Sequence, residues 1–330
     1  MDTSTNKEVT SIGGYFSWEF PLKKKDIPHG DGLLLNSGHG ALQQILLSLE
    51  SVSKVWIPYF TCDIVVKALQ DIHVPYDFYH INLQLEIEFL PKLKDNEYIL
   101  YTNYFGIKDY YVNTLSDYYG SKLIIDNAQA FFADSIEQSH QIYSPRKFVG
   151  VPDGGIAVSK YLKNRCLSAN KVSQVCGHLL LRTEGDVVEG YEIFKRNDDI
   201  LRETSLLEMS SITRSILQSL DYELIVKKRK ANFGYLHTNL ADKNLFSLSL
   251  DIEKSLFKCP MVYPFFTEKE NLRMSLIKNQ VFVAQYWPNV LLWCKENDVE
   301  YTLCKHIIPL PIDQRYDLNE MDRILELILN

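Results

Sequence analysis

Residues Lys122 to Ala133 read KLIIDNAQAFFA. The apolar run KLII ends at Asp126, and a carboxylate at the carboxyl end of a parallel strand points into the crevice where open α/β sheets bind ligands. A helix N-cap aspartate is the competing reading of the same residue. Working outward, Gly32 to Gly155 alternates short apolar runs with longer mixed segments, the pattern of parallel strands joined by helices. The expected strands are Lys54 to Tyr59, Tyr76 to His80, Tyr98 to Asn103 and Lys122 to Asp126. Ala41 to Leu49 and the region of Val65 to Leu69 show helical spacing. The fold class expected is α/β, with a large doubly wound, mainly parallel sheet and a smaller C-terminal α/β domain.

After Gly155 the character changes. GIAVS reads as one more strand, and the charged stretch from Lys160 to Asp242 reads as helices, most clearly Asp221 to Leu236. From about Leu248 short strands alternate with a helix over Glu268 to Asn279, and a last helix follows Tyr316. The domain reading is 1–235 for the large, ligand-binding domain and 236–330 for the small one.

Composition narrows the function. At 330 residues, 46% hydrophobic and 23% charged, the chain has the values of a soluble globular protein. A net charge of -7 argues against a broad nucleic-acid surface, which rests on Lys and Arg neutralising phosphates. The clusters Leu22 to Lys25 and Lys227 to Lys230 read as solvated faces. The six cysteines lie far apart, with no C-x-x-C pair and no histidine at metal-finger spacing, so no metal site is expected. The N-terminus lacks a signal-peptide core, and no run of about 18 apolar residues appears. The expectation is a cytoplasmic protein with reduced thiols and no membrane segment.

Two more stretches bear on chemistry. In LLLNSGHGALQQILLSL a strand-like run enters Asn36, Ser37, Gly38, His39 and Gly40 and then a helix. Such a turn offers backbone N–H groups and a positive dipole end to a phosphate, although Ser37 also reads as a simple N-cap and His39 as a satisfied turn histidine. In IYSPRKFVGVPDGG, Lys147 stands between a serine-proline turn and a glycine pair. Phe148, Val149 and Val151 suggest an apolar surround that would desolvate the ammonium and favour a nucleophilic neutral amine; a surface lysine is the alternative. A phosphate cradle, a strand-end aspartate and a lysine some twenty residues later are together what a pyridoxal phosphate enzyme needs.

In these residues the chain resembles the DegT-type sugar aminotransferases, fold type I pyridoxal phosphate enzymes that usually aminate keto sugars carried on a nucleotide. The likeness spans nearly the whole chain: GGYF near the start, NSGHGAL, VWIPYFTC, YFG at Tyr104 to Gly106, DNAQA, the lysine six residues before D-G-G, and RKANF. The resemblance implies that Lys147 forms the Schiff base, that Asp126 partners the pyridine nitrogen and that Gln129 bonds the ring hydroxyl. It also implies that Ser144 and the Gly38, His39 and Gly40 turn take the phosphate, and that Cys62 lies over the ring face. Tyr15, Phe16, Asn103, Tyr104, Arg146 and Arg315 are the substrate-binding candidates. A donor such as glutamate and a two-fold homodimer are further implications.

The chain departs from the family pattern at several points. Its serine is only three residues before the lysine. Leu206 stands where the family has an asparagine that reaches the partner's phosphate, which leaves the partner to contribute by packing or through Arg202 or Ser205, and the tail HIIPLPIDQRY differs. These departures keep open a protein of this fold acting on a non-sugar substrate, or a non-catalytic relative that binds pyridoxal phosphate or a sugar. The family's dehydratases carry a histidine in place of the lysine, and Lys147 argues against that branch.

Overall fold

The computed structural model describes residues 15–21, 24–246 and 257–330. The glycines of the GGYF stretch, two residues of the Leu22 to Lys25 cluster and the segment around Leu248 lie outside them. The strands are β1 (Leu33–Leu35), β2 (Lys54–Pro58), β3 (Tyr76–Tyr79), β4 (Glu97–Thr102), β5 (Leu123–Asn127), β6 (His140–Tyr143), β7 (Gly155–Val158), β8 (Val262–Phe266) and β9 (Ile307–Pro311). The first seven form one sheet in the order β1-β7-β6-β5-β4-β2-β3. β2 to β6 run parallel, while β7 is antiparallel to both β6 and β1. The chain is therefore α/β with a large, mainly parallel sheet.

Helices cover both faces. They are α1 (Gly38–Ser48), α2 (Asp63–Asp71), α3 (Asp109–Tyr119), α4 (Gly177–Glu184), α5 (Val187–Glu203), α6 (Ser211–Leu217), α7 (Tyr222–Leu240), α8 (Leu272–Lys278), α9 (Val290–Trp293), α10 (Val299–His306) and α11 (Leu318–Leu329). The two-residue period of the strands divides their side chains between two cores. Leu100, Ile124, Ile142 and Ala157 pack with Ala41, Leu42 and Ile45 of α1 and Val65 and Leu69 of α2. Ile99, Tyr101, Leu123, Ile125, Tyr143 and Ile156 pack on the other face with Val112 of α3 and Phe233 of α7.

β8 and β9 form a separate antiparallel pair, and their side chains join that second core together with α7, α8 and α11. Helix α7 runs without a break from 222 to 240, so the boundary expected at 235 falls inside a helix. The C-terminal helix starts at a reciprocal capping box between Asp317 and Glu320. The helix expected from Glu268 begins only at Leu272, because Asn271 adopts a left-handed conformation, φ 64°. Among the described residues, no helix is long and apolar enough to cross a membrane.

One close approach fixes the turn before α1 against the sheet. A Cβ added to Gly155 would lie 2.0 Å from the Ser37 carbonyl oxygen, and the Gly154 N–H donates to Asn36 O at 2.7 Å. Gly155→Ala is expected to lower stability by about 3 kcal/mol or more, since neither backbone can yield. A denaturant midpoint unchanged from that of the wild type would contradict this contact.

Candidate active site

Thr102, Asp126 and Ile142 sit side by side across β4, β5 and β6, in register. Each lies two residues beyond a core position on the α1 face: Leu100, Ile124 and His140 precede them on their strands, and Ser144 continues the alternation past Ile142. The pleat thus aims Thr102, Asp126 and Ser144 at the N-terminus of α1. There they border a cavity of about 170 Å³, which Ser37, Gly38, His39, Cys62, Gln129 and Lys147 also line.

Asp126 is 7% exposed, and its Oδ1 accepts the Ala128 N–H at 2.9 Å. Burial raises its carboxyl above the ordinary aspartate value, while the nearby Lys147 ammonium and the Ala128 N–H act the other way. A cationic N–H against this carboxylate would relieve the desolvation. Gln129 is almost fully buried, and its Oε1 accepts the Phe105 N–H at 2.9 Å. Its Nε2 has no partner among the described residues, which leaves a donor available at the cavity wall.

Lys147 ends a short 3-10 turn, Pro145–Lys147, between β6 and β7. The sequence suggested a desolvated lysine, and the structure corrects this. Phe148, Val149 and Val151 point into the core, whereas Lys147 itself is exposed on the cavity side. Its position is set from below. The Phe148 carbonyl accepts Arg229 Nη2 at 3.1 Å and Gln314 Nε2 at 2.8 Å, and the Arg229 guanidinium stacks over the Phe148 ring at 4.7 Å. Arg229, from the RKANF stretch, is itself only 2% exposed. Burial lowers its pKa, and the carbonyls of Met261 and Phe148 satisfy its donors.

The D-G-G stretch proves structural. Asp153 is fully buried and accepts the Ser210 N–H at 2.9 Å, the Ser210 hydroxyl at 2.7 Å, Asn170 Nδ2 at 3.0 Å and the Thr213 hydroxyl. That network anchors β7, and through Gly154 and Gly155 it anchors the turn before α1.

In that turn Ser37 caps the helix, its Oγ accepting the Gly40 N–H at 3.0 Å. Gly38 and His39 border the cavity; Gly40 lies behind them, its amide taken by Ser37 and its α-carbon packed near Leu206. A Cβ on Gly38 would lie 3.8 Å from the Ser144 Cβ, so Ser144 faces the turn. His39 Nε2 lies 3.0 Å from Gln43 Nε2 and 3.1 Å from Asp71 Oδ2. Burial lowers the His39 pKa against the pull of Asp71, and the residue behaves as a partnered turn histidine. Cys62 precedes α2 and its thiol donates to Asp63 Oδ1 at 3.4 Å; burial pushes that thiol up to about 11, so it is neutral at physiological pH.

Among the solved structures the chain resembles are NtdA from Bacillus subtilis with bound cofactor PMP and the sugar aminotransferase CalS13 from Micromonospora echinospora. NtdA is 16% identical over 90% or more of this chain, the alignment covering 93% of this chain and 73% of NtdA with a TM-score of 0.61. CalS13 is 13% identical, with 90% and 86% covered and a TM-score of 0.60. DesI in the presence of its TDP-sugar product is 14% identical, with 90% and 79% covered and a TM-score of 0.60. The chain has their fold. No family model matches it and no curated protein matches it in sequence.

Within this fold several of the residues expected to bind substrate lie away from the cavity. Asn103 continues the pleat of Tyr101 and so turns to the opposite face from Asp126. It is fully buried, donating to Asp109 Oδ1 and Asn127 Oδ1 and accepting the Lys108 N–H. Tyr104 is also fully buried, its hydroxyl donating to the Phe60 carbonyl at 2.9 Å. Arg315 makes a two-pronged contact with Asp313 and does not line the cavity. Tyr15 and Phe16 are exposed and likewise do not line it. Arg146 does, paired with Asp198.

Arg202, considered from sequence as a contribution from a partner subunit, lines this chain's own cavity and binds Asp63 at 2.5 Å. Burial alone would raise the Asp63 carboxyl, but the Arg202 bond and charge outweigh it and hold it below its ordinary value. Trp287, Asp198 and Leu201 are lining residues that the sequence reading missed. Only the i, i+3, i+4 spacing of Asp198, Leu201 and Arg202 could have hinted at a shared face.

Proposed function

We propose that this chain is a pyridoxal phosphate-dependent aminotransferase that moves an amino group from an amino acid, glutamate, to a keto sugar carried on a nucleotide. One observation carries the reading: a buried strand-end carboxylate, an unpartnered buried amide and an exposed lysine share one cavity with the first turn of a helix. The residues fit the cofactor. Asp126 would accept from the pyridine nitrogen, Gln129 Nε2 would donate to the ring oxygen, and the Gly38 and His39 amides with the Ser144 hydroxyl would hold the phosphate. Cys62, neutral and compact, would pack against the ring face.

When bound and covalently attached to Lys147, pyridoxal phosphate supplies an electron sink for a carbanion next to nitrogen. Asp126 keeps that sink effective by holding a proton on the ring nitrogen. Once released from the cofactor, Lys147 Nζ takes the proton from the α-carbon of the donor and later returns one to the acceptor carbon. Its exposure to the cavity, with no ion pair among the described residues, leaves the amine free to swing between these positions. The rigid Arg229 and Gln314 clamp on the next carbonyl limits that motion to the side chain.

The likeness to the sugar aminotransferase CalS13 supports a sugar as acceptor, and the likeness to DesI with its TDP-sugar product supports one carried on a nucleotide. The direct test is a panel of nucleotide-linked keto sugars offered to the purified protein with glutamate, with amino sugar and 2-oxoglutarate measured together. Transfer to none of them, alongside transfer to simple 2-oxo acids, would place the substrate outside sugars.

The same reading includes a two-fold homodimer. Aromatic and aliphatic side chains at Tyr15, Phe16, Trp18, Val188 and Tyr191 are 57–98% exposed in the single chain, residues of the kind a homodimer interface would cover. Light scattering at micromolar concentration is expected to give twice 38.3 kDa. A monomer that transaminates at full rate would contradict the dimer.

A further inference from the structure

Helix α5 presents Asp198, Leu201 and Arg202 to the cavity. Asp198 and Arg202 are spaced to pair along the helix, acid before base, yet each makes its ion pair with another element instead. Asp198 Oδ1 holds Arg146 Nη1 at 3.1 Å from the lysine turn, and Arg202 Nη2 binds Asp63 Oδ2 at 2.5 Å at the start of α2. Arg146, Arg202 and Asp198 therefore line the cavity of Lys147, and Asp63 holds Arg202 from beside it, so that the two guanidiniums and two carboxylates cancel in charge.

In both pairs the arginine lies deeper than its partner. The Arg146 side chain is 18% exposed against 41% for Asp198, and Arg202 is 30% exposed against 45% for Asp63. An acid that is already half in water gives up a partly exposed ion pair at little cost. A guanidinium facing inward keeps its planar fork available for another oxyanion. If these pairs only strapped α5 in place, nothing would require the acids to be the outer members of both.

We propose that Arg146 and Arg202 form an anion-receiving site in the cavity wall, in which Asp198 and Asp63 hold the guanidiniums until a carboxylate or phosphate of the substrate displaces them. This rests on the proposed function, in which substrates enter this cavity. It assigns α5 the role of substrate selection: the helix carries one arginine that binds the anion and one aspartate that competes with it.

The competition gives the two members of each pair opposite effects. Calorimetric titration of the cofactor-loaded protein with glutarate, a dicarboxylate with no amino group to react, and separately with uridine diphosphate, reads binding without turnover. Arg202→Gln and Arg146→Gln are expected to weaken binding about tenfold or more, the loss of a charge-assisted contact. Asp63→Asn and Asp198→Asn, which keep shape and remove the competing charge, are expected to tighten it about threefold. Opposite signs with glutarate assign the site to the donor carboxylates, and opposite signs with uridine diphosphate assign it to the acceptor's phosphates. The proposal is overturned if the wild type binds neither probe, if no variant changes affinity, or if both members of a pair shift it the same way. Because the titration needs no turnover, opposite signs in a protein that fails to transaminate would leave the anion site standing and remove only the proposed activity.

Discussion

Lys147→Ala protein, supplied with pyridoxal phosphate, is expected to convert glutamate to 2-oxoglutarate roughly 100- to 10,000-fold more slowly than the wild type in a single turnover, the range a positioned acid–base group contributes. The exposure of Lys147 makes this a test of chemistry rather than of folding. Its side chain makes no core contact, while Phe148, Val149 and Val151 beside it fill the core, so the variant should unfold at the same temperature as the wild type. Asp126, Gln129 and Ser144 remain to bind the cofactor without a covalent bond. Turnover within tenfold of the wild type would remove Lys147 from the mechanism.

The second large effect is at Asp126. Asp126→Asn keeps the size of the group and an oxygen for the Ala128 N–H, but it cannot hold a proton on a pyridine nitrogen by charge. Half-transamination with glutamate is expected to fall roughly 100- to 1,000-fold, as when a preorganised electrostatic contact is removed from a buried site. Stability of the cofactor-free protein is expected not to fall, because burial already works against the ionised carboxylate. This separates the catalytic role from the capping role that the sequence also allowed. A cap survives the change to asparagine, so near-normal turnover would identify Asp126 as a cap alone.

The parts of this account legible in the sequence are those governed by short-range rules. β5 could be read because KLII is apolar throughout and ends in a charge, and α1 because its apolar spacing follows a serine and two glycines. β6 was missed: HQIY is four residues long and half polar, although all four are buried, with His140 bonded to Ser159 and Ser121 and Gln141 to Ile136. The pleat explains why two expected substrate residues lie off the cavity. Asn103 and Tyr104 follow directly after a strand that ends at a cavity residue, but a strand end has two faces, and only the pairing of Thr102 with Asp126 shows which one meets the cavity.

Lys147 stands out in the sequence by its apolar neighbours, and the structure does not bury it among them. Apolar neighbours in sequence suggested an apolar environment, yet in a tight turn adjacent side chains point apart, and the neighbours took the core. What holds the lysine turn is Arg229, 82 positions away, and Gln314, farther still; contacts at that separation leave no local pattern. The same is true of the Arg202–Asp63 and Arg146–Asp198 pairs, each of which joins elements distant in the chain.

The central claim is that Lys147 carries the cofactor in the cavity formed with Asp126, Gln129 and the first turn of α1. Borohydride reduction of the purified protein, followed by proteolysis and mass spectrometry, tests it most directly. The account predicts a reduced pyridoxyl phosphate group on the peptide containing Lys147 and its loss in Lys147→Ala. A label on any other lysine, or none in protein supplied with the cofactor, would contradict it.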